Sequence, residues 1–302
     1  MDQITGLRVF VLAVGEGSLA AAARRLGLSP AMAGKHLNAL EKQLSTRLLQ
    51  RTTRQLNLTD AGRRYYERCK RMLDEFDDAN REIGDRDSVL RGTLRVAAPV
   101  TFGAMQMGQS MARYLGEHPQ VTVEVLLNDR YVDLLDAGID VAIRIGQLSQ
   151  PELTVRRLTV SRMIACASPA YLERHGVPTT PAELREHARL AFSGAISPGD
   201  WTFTDSNGVD QSVPDPSRLH VNNMQFLLSA ALAGAGIAYG PSFVFGEHVA
   251  RGDLIPVLTN YSTTSLPIHA VFPTARYMPR LVRAFVDRLA EDFADIPPWE
   301  RA

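Results

Sequence analysis

Apolar residues recur at three- and four-residue steps along the first part of the chain, which is the period of one helix face. Ile4, Leu7, Phe10, Val11 and Val14 mark a first helix. Leu19, Ala22, Ala23 and Leu26 mark a second within Ser18–Leu28, where Ser18 can accept the free N–H groups of its first turn and Gly27 ends it. A third helix follows almost at once. Ser29 caps it, Pro30 fills the first helical position where its missing N–H costs nothing, and Ala33, Leu37, Leu40 and Leu44 form its buried line. At about 100° per residue the opposite side carries Ala31, Lys35, Asn38 and Lys42. Two capped helices across so short a turn predict a helix-turn-helix, and small residues followed by cations and an amide suit a helix end that enters a DNA major groove.

Arg47–Leu58 then places Arg51, Thr52, Thr53 and Arg54 between two short apolar runs, which predicts a β-wing whose tip offers guanidinium and hydroxyl groups to phosphates or to the minor groove. From Thr59 to about Asp85 the pattern is helical again. Tyr65, Cys69, Met72, Phe76, Ala79 and Ile83 are spaced 4, 3, 4, 3 and 4, the alternation of a coiled-coil seam, although a helix packed on its own domain shows the same spacing. A two-fold pair of such helices would hold two reading heads apart on palindromic half-sites.

Beyond Leu90 the pattern alternates. Gly92–Ala98, Val121–Leu127, Asp140–Ile145, Met163–Ala167, Ile237–Tyr239 and Ile268–Phe272 predict buried strands, with helices near 103–117, 131–137, 169–175, 223–234, 241–250 and 279–293. That order builds α/β sheets with ligands at the carboxyl ends of strands. The strand at 268 is expected to return to the first half and so create two lobes with a cleft.

Charge sharpens this division. Residues 1–71 hold thirteen Lys and Arg against five acids, a balance of +8 in a chain whose total is zero, so the basic character belongs to one end. Cys69 and Cys166 are the only cysteines, too few for a disulfide framework or a metal knuckle, and both are expected to be inert thiols in a reducing cytoplasm. The first residues show no basic segment followed by an apolar core and a cleavage site, so secretion is not expected. Val221–Gly246 has no charged residue in the sense of Asp, Glu, Lys or Arg, yet Gly234, Gly236, Gly240 and Pro241 break it, so no membrane span is expected. The seven histidines make no HExxH pair and no serine sits in GxSxG, so neither a catalytic residue nor a metal or cofactor is assigned. Gly234-x-Gly236-x-x-x-Gly240 imitates a dinucleotide loop, but a helix stands before it where a strand is required.

The run from Leu7 through Cys69, with VFVLAVGEGSLAAAARRLGLSP, ALEKQL and RLLQRTTRQLNLTDAGRRYYERC, resembles the N-terminal domain of LysR-type transcriptional regulators, and the resemblance extends over the remaining chain. It implies an α/β protein with an all-α winged helix-turn-helix N-terminal domain and a two-lobed, periplasmic-binding-protein-like effector domain. The expected divisions are a DNA-binding domain at 1–58, a dimerisation helix at 59–90 and an effector domain at 91–302, with lobe one at 91–162 plus 266–302 and lobe two at 163–265. Ser29, Pro30, Ala31, Gly34, Lys35, Asn38, Arg51, Thr52, Thr53 and Arg54 are the DNA-binding candidates. Gly34 departs from the family pattern, which has a serine beside the basic residue, so operator preference cannot be carried over. Tyr65, Cys69, Met72, Phe76 and Ile83 are assigned to dimerisation.

By position in the family pattern, Val100, Thr101, Phe102, Arg144, Ser193 and Asn223 are the cleft candidates. Thr101 either meets an anionic ligand with neighbouring N–H groups or simply caps its helix. Arg144, a cation in an apolar strand, needs a carboxylate partner that is either a ligand or an internal residue such as Asp129 or Asp140. The implied function is sequence-specific DNA binding modulated by a small carboxylate or aromatic acid. Its partners are a double-stranded operator, the effector and further copies of the chain, as dimers pairing into tetramers. The competing reading is a cytosolic small-molecule binder whose helical N-terminus only dimerises, and salt-dependent duplex binding separates the two.

Overall fold

The computed structural model describes residues 2–51, 56–84, 89–130, 133–148, 153–194, 200–214, 217–273, 278–293 and 296–300. The chain forms two compact units, Met1–Val89 and Leu90–Ala302. In the first, α1 (Gln3–Gly15), α2 (Leu19–Arg25) and α3 (Pro30–Gln43) precede an antiparallel ribbon of β1 (Leu49–Arg51) and β2 (Leu56–Leu58), and α4 (Asp60–Gly84) closes the unit. Leu7, Phe10, Ala23, Leu37, Leu40, Leu48, Leu49, Cys69 and Leu73 make one small core, with Leu56 and Leu58 of β2 packed against it. The ribbon is anchored at its base. Glu41 Oε1 accepts the N–H groups of Leu48 and Leu49 at 2.8 and 3.1 Å, and the Thr59 hydroxyl donates to the Arg47 carbonyl at 2.8 Å.

The second unit opens with β3 (Arg91–Ala98), α5 (Val100–Gln106), α6 (Gly108–Glu117), β4 (Gln120–Leu127), α7 (Leu134–Ala137) and β5 (Val141–Ile145). Next come β6 (Leu153–Ala167), α8 (Pro169–His175), β7 (Arg189–Phe192), β8 (Trp201–Thr204), β9 (Asp210–Val213) and β10 (Leu219–Val221). Last are α9 (Met224–Leu232), β11 (Ile237–Pro241), α10 (Ser242–Arg251), β12 (Ile255–Val257), β13 (Ser262–Thr263), β14 (Ser265–Pro273) and α11 (Arg280–Asp292), followed by a 3-10 turn at Pro298–Glu300. Among the described residues no helix is long and apolar enough to cross a membrane.

The main sheet runs β10-β7-β11-β6-β14-β5-β3-β4, with β12 also on β6. The pairs β3–β4, β3–β5, β11–β7 and β10–β7 are parallel, whereas β5–β14, β14–β6 and β6–β11 are antiparallel. Two parallel halves are therefore joined through the long strands β6 and β14, and the expected return of the strand at 268 is observed. β5 is buried along its whole length, as a parallel-type strand covered on both faces must be. Helices α5, α9, α10 and α11 bury Phe102, Leu227, Val244 and Phe285 in one large core, while Met163, Trp201, Phe203 and Tyr239 form a second with the small sheet β13-β8-β9.

Several elements depart from the sequence expectation. The helix expected at 103–117 is two, broken at Met107, and the strand expected at 163–167 begins ten residues earlier at Leu153. Strands β7, β8, β9, β10, β12 and β13 are additional. The wing expected within Arg47–Leu58 is present as the antiparallel pair of β1 and β2.

Gly62, near the start of α4, shows how tightly the wing base seats. A Cβ there would lie 2.1 Å from the Leu48 carbonyl oxygen, so even one methyl group must push two backbone segments apart. Gly62→Ala is expected to cost the first unit about 1–3 kcal/mol of stability, measured by chemical denaturation followed by circular dichroism; an unchanged midpoint would refute this packing account.

Candidate nucleic-acid interface and ligand cleft

The turn between α2 and α3 is built from local hydrogen bonds. Ser18 Oγ accepts from Ala21 N at 3.4 Å and Ser29 Oγ from Met32 N at 3.2 Å, while Gly27 turns the chain with a φ of 66° that a side chain would resist. Ala33, Leu37 and Leu40 hold α3 on α1. With that face buried, Ser29, Pro30, Ala31, Met32, Lys35, Asn38 and Lys42 are exposed together. Gly34 lies half-buried beside them, and a Cβ built on it meets nothing within 4 Å. Packing does not require glycine at this position. The helix therefore forgoes about 1 kcal/mol relative to alanine and presents bare backbone on the face that would approach a base pair.

Arg51 ends β1, but its side chain is outside the described set, and Thr52, Thr53 and Arg54 lie outside the described residues.

The seam expected on α4 divides. Tyr65 and Cys69 turn into the unit's own core: the Tyr65 ring lies 6.0 Å from Phe10 and Cys69 is buried, with Leu73 one turn further on. Burial, together with the neighbouring Cys69 thiol, pushes the Tyr65 hydroxyl up to about 12, as expected for a ring seated against protein. Assignment of Tyr65 and Cys69 to a partner-facing seam is thus corrected. The four- and three-residue alternation there serves packing on α1. Met72 and Phe76, 47% and 40% exposed, face outward, and the Arg8–Asp77 ion pair fixes that part of α4 on α1. Ile83 lies in α4 with its side chain outside the described set.

In the second unit the candidates separate. Thr101 is buried on α5, and Phe102 is fully buried with its ring 5.2 Å from Phe243, 5.9 Å from Phe293 and 5.8 Å from Trp299. Phe102 is a core residue, which corrects its assignment to the cleft. The Val100 N–H, the first expected to meet an anion, donates to Asp129 Oδ1 at 2.9 Å, so an internal carboxylate already occupies that amide. Arg144 is buried as the next-to-last residue of β5, opposite His269 of β14. Asp140 accepts from Arg95 N at 2.7 Å.

An open pocket of about 560 Å³ lies at the carboxyl ends of the parallel strands β7 and β10, lined by Ser193, Leu219, His220, Val221, Asn222 and Phe226. Ser193 is the one cleft candidate in that lining. Asn223 is instead spent as the cap of α9, its Oδ1 accepting from Phe226 N at 2.9 Å, and the neighbouring Asn222 takes the place in the pocket. Phe226 is 57% exposed beside it. His220 and Phe226 escaped the sequence reading because neither shows a periodicity of its own. The strand-end position in a parallel pair was the available signal.

The glycine run that imitates a dinucleotide loop is explained by packing. A Cβ at Gly236 would lie 2.3 Å from the Ala188 carbonyl oxygen, and one at Gly240 would meet the Phe245 ring at 2.7 Å. The run enters β11 from α9 rather than leading from a strand into a helix. Among the described residues no group of three or more potential metal ligands is clustered.

Comparison with known proteins identifies the family of both units. Residues 4–63 match the family described as bacterial regulatory helix-turn-helix protein, lysR family, and residues 87–294 match the LysR substrate binding domain. An uncharacterized HTH-type transcriptional regulator of Haemophilus influenzae is 36% identical over 92% of this chain and 96% of its own length. The HTH-type transcriptional activator AaeR of Escherichia coli is 31% identical over 98% of this chain and 96% of its own length. Among solved structures, CrgA, a LysR-type transcriptional regulator from Neisseria meningitidis, superposes with a TM-score of 0.64 at 30% identity, covering 96% of this chain and 98% of that one.

The outward pair on α4 gives a direct test of association. Phe76→Glu places a charge where an apolar contact between helices is expected, while leaving the Tyr65, Cys69 and Leu73 packing intact. Multi-angle light scattering is expected to show a smaller oligomer for the variant at the same concentration; an unchanged mass would remove Phe76 from the interface.

Proposed function

The chain belongs to the LysR family of transcriptional regulators, and from that premise we propose how its two units divide the work. The α3 face formed by Ala31, Lys35 and Asn38 enters the major groove of an operator, with Gly34 allowing a close approach of helix backbone to the bases. The wing residues Arg51, Thr52, Thr53 and Arg54 contact phosphate or minor groove. Met72 and Phe76 join two α4 helices, so the reading heads act in pairs on related half-sites, and dimers pair further into tetramers.

The 560 Å³ pocket of the second unit receives the effector. Leu219, Val221 and Phe226 offer an apolar wall for a ring or chain, and Ser193, His220 and Asn222 offer hydrogen bonds, a combination that suits a small carboxylate or aromatic acid. Thr101 and Arg144, buried in the other lobe, line no part of that pocket. Effector binding favours one arrangement of the oligomer and so changes how DNA is spaced or bent. The domain divisions at 58, 90 and 162/163 follow the same plan.

The observation that carries the DNA-binding reading is the exposed, basic and fully capped outer side of α3. Fluorescence anisotropy with the duplex upstream of the chain's own gene tests it: affinity is expected to fall steeply with salt, and Lys35→Ala is expected to lower the log–log slope by about one. Salt-independent binding, or the absence of binding, would sink the reading in favour of a small-molecule binder.

A further inference from the structure

β6 serves both lobes, and the place where it changes partner is unusually well tied. Arg162 pairs with Ser265 of β14, whereas Met163 pairs with Pro241 of β11. Ser242, which follows Pro241, begins α10. The backbone thus switches from one half of the sheet to the other between two consecutive residues, and α10 starts at the same point.

Onto this point folds the short segment Ile296–Glu300. Glu300 Oε1 accepts from the Ser242 hydroxyl at 2.5 Å and from Arg162 N at 3.4 Å, while Oε2 accepts from Arg162 Nε at 2.9 Å and also from Nη2. One carboxylate therefore holds β6 and α10 together with a two-pronged guanidinium bond. The same hydroxyl lies 2.8 Å from Ser161 Oγ, which is fully buried and accepts from Phe243 N at 3.4 Å. Burial alone would raise the Glu300 carboxyl, yet hydrogen bonds from Arg162 and Ser242 outweigh it and hold the group below its usual range.

Trp299 supplies the apolar half. It is buried with its ring 5.8 Å from Phe102 of α5, 6.2 Å from Phe243 of α10 and 5.5 Å from Phe293 after α11. α5 belongs to the half of the sheet that begins with β3, and α10 to the half that contains β11. Its own carbonyl oxygen lies where a Cβ on Gly246 would be, at 2.4 Å, so α10 is shaped to receive this segment. Gln106 Nε2 adds a bond from α5 to the Phe243 carbonyl at 2.7 Å.

We propose that Ile296–Glu300 is a conformational clasp: Glu300 pins the β6 changeover to α10 while Trp299 bridges helices of both lobes, so the segment sets the resting angle between the lobes and resists its change. A packing segment of no regulatory consequence would also be buried. The clasp differs in that its polar contacts converge on the two residues about which the lobes must turn. It stands independently of which ligand the cleft takes.

The test uses the full chain without ligand. Spin labels at Gly116→Cys on α6 and Val177→Cys after α8 report the separation of the lobes; both positions are exposed, and the native Cys69 and Cys166 are buried. With labelled chain diluted into an excess of unlabelled chain, so that each oligomer carries one labelled copy, double electron–electron resonance is expected to give one narrow distance distribution for the parent, and a broadened or displaced one for Glu300→Gln. Arg162→Met, which removes the other half of the pair from a side chain 64% exposed, is expected to shift the distribution in the same sense without disturbing the core. If both variants keep the parent distribution, the clasp is overturned, whatever happens to the melting temperature. It is equally overturned if Glu300→Gln changes the distribution only by unfolding the second unit while Arg162→Met leaves it unchanged.

Discussion

The fold of the larger unit depends on one strand being shared. β6 is fifteen residues long; its first part is hydrogen-bonded to β14 and its last part to β11 and β12. Each buried backbone group on it must keep a partner, because an unpaired one costs about 1–3 kcal/mol. The lobes therefore cannot part along β6. They can only turn about it, and the turn must be taken up where the partners change, at Ser161, Arg162 and Met163. The register shift between Ile268 and His269 on β14 lies close to this same crossing. The pocket at the strand ends of one lobe is connected to the other lobe by that strand, and under the proposed function this is the route by which a small molecule there would alter a distant surface.

The smaller unit works under a different constraint. Its core is shallow, so every helix must give its whole apolar face to it, and what remains of α3 is the surface offered to a partner. Caps, rather than length, hold these helices: Asp2, Ser18 and Ser29 each accept N–H groups at a helix start, and Thr59 does so for Gly62 of α4. α4 carries two duties in succession. Its early turns complete the core through Tyr65 and Cys69, and its later turn presents Met72 and Phe76.

Much of this was legible in the sequence because local chemistry decided it. Ser18, Gly27, Ser29 and Pro30 specify their caps and turn without help from distant residues, and the all-apolar run around Arg144 reads as a doubly covered strand. What was not legible depended on contacts far along the chain. Phe102 resembles a cleft residue by position, but Phe243, Phe293 and Trp299 converge on it from elements that follow by more than a hundred residues. Tyr65 and Cys69 satisfy a coiled-coil spacing that α1 claims first. Strand β8 alternates apolar and polar residues over four positions only and β9 has a single apolar residue, Val213, so neither stands out; they pair with each other, and Trp201 stacks 5.1 Å from Tyr239. Asn222 and Asn223 are adjacent and chemically identical, and only the helix geometry decides that one caps while the other lines the pocket.

The central claim is that a molecule held in the lobe-two pocket is sensed at the β6 changeover. Hydrogen–deuterium exchange of the full chain measures this directly, with the carboxylic acid that most raises the melting temperature in a panel of small aromatic and aliphatic acids as the probe. The account predicts slowed exchange at the pocket and also over Ser161–Met163 and Ser265–Pro267, which line no part of it. Protection confined to Ser193 and Leu219–Phe226 would contradict it.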